Sequence, residues 1–265
     1  MATIDIHPAE FAYAFAYAKV QSIIGWGDTP FLPGDSADGA AWGAQGEALL
    51  RSAGRLVGEP ETGLNFSDEM TAAIMALIDP GLVLSSERKA GEGVRRLTVH
   101  AKRSDFIGLI QRDDGMFEMT RYTDLTAGAG ACAAFAGASL APLAGAVRVD
   151  VDHKTLVTLH KSARSRRDDV IAALVSLGFD GAHAASATDA FADPASSGLI
   201  NVFYCAGNAV KDAEPISVMT TQEGQTWTIF PPASLDGPMV LECSSVAALT
   251  ARIAVMTAAR LGAGR

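Results

Sequence analysis

An α+β fold built from two pseudo-symmetric copies of one unit is what this sequence predicts, on three observations. The order helix, helix, four short antiparallel strands, helix is legible twice, across residues 46–138 and 167–262. Landmarks recur in the same order: Asp79-Pro80 and Asp193-Pro194, then the turn glycines Gly115 and Gly237, then the capping residues Asp124 and Ser244. Between the landmarks, short apolar or alternating runs are separated by turn residues at hairpin spacing.

The first copy opens with a helix over 47–57, whose stripe is Leu49, Leu50, Ala53, Leu56 and Val57. Ser67 then reads as an N-cap, with Asp68 and Glu69 in the first turn of a second helix. Asp79-Pro80-Gly81 stops that helix, because proline cannot continue it. Strands follow over 82–88, 95–102, 106–112 and 116–122; Leu97, Val99 and Ala101 alternate with Arg96, Thr98, His100 and Lys102. Asp124 caps the closing helix. The second copy has helices over 169–177 and 187–192 and strands over 199–206, 216–221, 225–230 and 239–243. Ser244 caps a last helix over 245–261. The predicted division is an N-terminal helix and loop arm (1–45), a first unit (46–141), a connector (142–166) and a second unit (167–265). The arm has an aromatic helix over 7–24 and a Gly/Pro-rich loop over 25–43, whose Trp26, Phe31, Leu32 and Trp42 are expected to seal it onto the core.

Totals narrow the function. Of the 265 residues, 49% are hydrophobic and 19% charged, which supports a packed core rather than disorder. A formal net charge of −9 opposes binding to nucleic acid or anionic lipid. Three cysteines, Cys132, Cys205 and Cys243, form no close pair, which fits a reducing, cytoplasmic setting. The first residues lack a basic segment ahead of an apolar run, and no apolar stretch reaches membrane-spanning length.

No catalytic motif emerges. Gly128-Ala-Gly130-Ala-Cys132 lacks the third glycine of a dinucleotide turn and reads as close helix packing. His153 and His160 lie seven apart, with Asp150 and Asp152 near, yet no zinc spacing accompanies them. Neither Ser-x-x-Lys nor G-x-S-x-G occurs around Ser162 and Ser165, and Cys205 and Cys243 read as inert core thiols. No cofactor or metal is implied. The most unusual chemistry is a basic run in an acidic chain: Lys154, His160, Lys161, Arg164 and Arg167 form an alternative anion-binding set, in a cleft between the two units.

Three stretches carry a family resemblance. They are Glu10-Phe11 through Ile23-Ile24-Gly25-Trp26-Gly27-Asp28-Thr29-Pro30-Phe31; Met75 to Leu84, continuing in Arg103 to Gly115; and Val218 to Phe230, followed by Asp236-Gly237. In these the chain resembles the EspG family, cytosolic adaptors of type VII (ESX) secretion. The resemblance implies a pseudo-symmetric α+β body and a non-enzymatic, chaperone-like role in binding a helical partner. It points to the strand-connecting loops 89–93 and 207–214, with Lys89, Gly91, Gly93, Asn208, Lys211 and Asp212 as partner-binding candidates. A homodimer assembled through a sheet edge is a further reading.

Overall fold

The computed structural model describes residues 2–27, 29–33, 38–58, 65–90, 93–139, 147–234 and 236–263. The chain order begins β1 (Ala2–Ile6), α1 (Pro8–Tyr17), a 3-10 turn (Thr29–Phe31), α2 (Gly39–Ser52), β2 (Leu56–Val57), β3 (Asn65–Phe66) and α3 (Asp68–Ile78). It continues with β4 (Leu82–Ala90), β5 (Gly93–Lys102), β6 (Asp105–Gln111), β7 (Phe117–Tyr122) and α4 (Leu125–Phe135). Then come β8 (Arg148–Val151), α5 (His153–Ser162), α6 (Arg167–Ser176) and α7 (Gly181–Ala192). β9 (Ser196–Ala206), β10 (Ala209–Thr220), β11 (Thr226–Phe230), β12 (Met239–Ser244) and α8 (Val246–Ala263) complete it. The fold is α+β, a large antiparallel sheet with flanking helices. Strand order is β1-β7-β6-β5-β4-β9-β10-β11-β12-β8, and β2 with β3 forms a separate two-stranded ribbon.

Two compact units emerge. The first holds residues 1–84, 97–128 and 203–213; the second holds 85–96, 129–202 and 214–265. Strands β4, β5, β9 and β10 each contribute to both.

In the first unit, α1 and α3 enclose an aromatic core. Phe11 meets Phe31 and Phe117 edge-on at 5.4 and 5.6 Å, and Trp26 meets Phe117 at 5.2 Å. Each such pair adds about 0.5–1.5 kcal/mol beyond its buried area. Trp26 satisfies its indole N–H on Thr98 Oγ1 at 2.7 Å, and Trp42 donates to the Phe31 carbonyl at 3.0 Å. The arm thus packs into the core as the sequence predicts, except that Leu32 stays 55% exposed. Arg55 pairs with the buried Glu10 at 2.7 Å. In the second unit, fully buried Trp227 donates to Ser186 Oγ at 2.9 Å and packs edge-on against Phe179 at 5.5 Å. Leu156, Leu159, Val170, Leu174 and Phe191 from α5–α7 fill the same core.

Several predicted elements hold: Ser67 accepts from Met70 N, and Asp124 from Ala127 N. A Cβ on Gly128 would come 2.8 Å from Val99 Cγ1, so close packing explains that glycine. Cys132 and Cys243 are buried, and burial pushes the half-buried Cys205 thiol up to about 11, so the thiolate is scarce at neutral pH.

Other boundaries differ. The arm begins with a strand, and α1 stops at Tyr17 rather than at residue 24. Lys19 adopts a left-handed φ of 56°, and Val20 N–H reaches back to the Phe15 carbonyl. The next helix runs over Gly39–Ser52 instead of 47–57. Asp38 caps its start, and Arg55 N–H closes its end on the Leu50 carbonyl before Leu56 and Val57 join a strand. The stretch read as a connector carries β8, paired with β12, and α5, capped by Asp152 on Thr155 N; its residues 142–146 lie outside the described ones. Asp180 caps α7, which starts at Gly181, six residues before the predicted Ala187. Ser245, not Ser244, caps α8, because the Ser244 hydroxyl is engaged by Thr228.

Candidate functional site

The partner-binding candidates fall on two hairpins. In the second unit, exposed Lys89 is the last residue but one of β4 and β5 starts at exposed Gly93, while Gly91 lies outside the described residues. Arg88, Lys89, Arg95 and Phe135 border a hollow of about 290 Å³, and Val94 is 63% exposed. A large exposed apolar side chain among cations is a surface suited to an amphipathic, acidic partner.

In the first unit, the turn joining β9 to β10 carries Asn208, whose Nδ2 donates to the Ser22 carbonyl at 2.9 Å. Asn208 therefore ties the hairpin to the segment after α1. Lys211 and Asp212 are exposed on β10, the latter accepting from Ala213 N at 2.9 Å, and Val210 between Asn208 and Lys211 is 46% exposed.

The anion-binding candidates separate. Lys154 lies exposed in the first turn of α5. Arg167 is occupied: it forks onto Asp189 at 2.9 and 3.1 Å, and that hydrogen bonding raises its already high pKa. His160, Lys161 and Arg164 come together on one cleft within the second unit. Apart from Val157, its remaining walls, among them Phe191, Pro194, Val218 and Met219, lie 27 or more positions away along the chain from Arg164, so no local spacing announces them. Buried His100 is in the first unit, where desolvation pushes its pKa down to about 3. Among the described residues, no group of three His, Cys, Asp or Glu is placed to hold a metal ion. No helix among them is long and apolar enough to cross a membrane.

No family model matches the chain, and no curated protein matches it in sequence. The fold, however, has solved counterparts. One is the Mycobacterium tuberculosis type VII secretion system chaperone EspG5, in its complex with the PE25–PPE41 dimer. The two superpose with a TM-score of 0.64 over 94% of each chain, at 14% sequence identity. At that identity the likeness is one of fold.

Proposed function

We propose that this protein is a non-enzymatic, chaperone-like adaptor that binds a helical protein partner in the cytoplasm. The observation that carries the proposal is the likeness to EspG5 over 94% of both chains, since that chaperone is seen holding a protein dimer. The two hairpins support it. Each offers an exposed valine, Val94 or Val210, beside exposed charge, Lys89 or Lys211 and Asp212. An apolar side chain flanked by charges suits the face of an amphipathic helix: the valine supplies burial and the charges supply register.

The test is capture with tagged protein in lysate of the source cells, then calorimetry with the recombinant partner identified by mass spectrometry. The proposal expects one helical protein at stoichiometric level, with Val94→Asp or Val210→Asp weakening binding by roughly tenfold or more, as a charge buried against an apolar contact should. It fails if no protein is retained, if the chain elutes only as its own dimer, or if neither substitution alters affinity.

A further inference from the structure

The second unit contains an open cleft of about 690 Å³, a volume typical of small-molecule sites. Val157 on α5, Phe191 at the end of α7, Pro194 after it, and Val218 and Met219 on β10 supply apolar walls. Ser197 on β9 and Ser217 on β10 add hydroxyls. The rim is basic: His160 and Lys161 occupy the last turn of α5, and Arg164 follows it. None of the residues lining the cleft is acidic.

Neighbouring arginines show that this lack of compensation is particular to the cleft. Arg166 pairs with Asp169 and Arg167 with Asp189, whereas Lys161 has no ion-pair partner among the described residues. His160 stacks on Phe191 with centroids 5.5 Å apart. Arg164 is held by its Nε–H, which donates to the Ala192 carbonyl at 2.5 Å. That bond fixes the guanidinium plane and leaves both Nη groups to fork onto a ligand. In a chain of net charge −9, three basic side chains beside an apolar wall complement an anion with an apolar body.

We propose that this cleft binds a small organic carboxylate with an aryl or alkyl body. Arg164 and Lys161 hold the carboxylate, and Val157, Phe191, Pro194 and Met219 pack against the body. The proposal does not rest on the adaptor role, although Ser197 and Gly198 of the cleft also border a hollow lined by Lys89 and Val94.

Calorimetry on the full chain tests it, with 4-phenylbutyrate as probe and 4-phenylbutanol and acetate as partial probes. 4-Phenylbutyrate should bind at one site, with each partial probe weaker by roughly tenfold or more, since each lacks one half of the recognition. Arg164→Ala should weaken binding roughly ten- to hundredfold, and exposed Lys161→Met should lower it in the same direction without disturbing the fold. Arg166→Ala, whose guanidinium points to Asp169, should leave affinity unchanged. The proposal is overturned if 4-phenylbutyrate gives no saturable heat, if the alcohol or acetate binds equally well, or if Lys161→Met and Arg164→Ala both bind as the parent does.

Discussion

Gly46 and Gly43 lie one turn apart on α2, yet alanine should act oppositely at the two. A Cβ built on Gly46 falls 2.1 Å from the Ala9 carbonyl oxygen and 3.1 Å from Tyr13 Cβ, both on α1. Real Cβ contacts stay beyond 3.0 Å, so the helices must separate by about 0.9 Å, and the obstacle is backbone that cannot rotate aside. Moving α1 also disturbs Phe11 and Phe15, which anchor the aromatic core. Overpacking of this kind costs about 1–3 kcal/mol or more, against a gain of about 1 kcal/mol from replacing a helical glycine. Gly46→Ala should therefore lose up to about 2 kcal/mol, a fall of up to about 8 °C in melting temperature. Gly43 has nothing within 4 Å of its built Cβ, so Gly43→Ala keeps the helical gain and should melt above the parent. Thermal unfolding by circular dichroism, checked by urea midpoints, reads both. If Gly46→Ala melts at or above the Gly43→Ala protein, the close approach of α1 to α2 is wrong.

Ser186→Ala removes the acceptor of the buried Trp227 N–H and should cost about 1–3 kcal/mol in urea unfolding; a change of only a few tenths would mean that the indole finds another partner. His100 gives a pH signature. Its folded pKa, lowered by burial to about 3, lies below the unfolded value near 6.5, so the unfolded chain takes up a proton that the native state refuses. Its contribution is fully present above pH 6.5 and is lost as pH falls toward 3, at up to about 1.4 kcal/mol per unit. His100→Gln should flatten the stability profile below about pH 6.5, whatever its absolute cost; parallel profiles for the two proteins would refute this.

Most of the sheet was legible because its signals are local. Period-two alternation marks β5, Asp114-Gly115 marks the turn between β6 and β7, and the prolines at 80 and 194 mark helix ends. The elements that escaped depend on distant partners. β1 is five residues long and gains its strand pairing from β7, and β8 is four residues long and gains its own from β12. The start of α2 escaped because Gly39 and Gly43 read as loop, while the Asp38 cap and the packing on α1 outweigh their poor propensity. At the cleft, the charge run disclosed His160, Lys161 and Arg164. It did not disclose that Asp189 would occupy Arg167, or that Val218 and Met219 would form the opposite wall.

The pairing of β1 with β7 also sets a timetable for biosynthesis. Thr3 and Thr120 face each other across that pair, 117 positions apart. At about 5–20 residues per second, a ribosome needs roughly 6–23 s to add the intervening chain. For that interval β1 lacks its β7 partner, while the β6–β7 hairpin can close soon after both its strands emerge. A cluster of slow codons ahead of β7 would lengthen the wait without altering one residue of the product, so the yield of folded protein is open to control by the message as well as by the sequence it encodes.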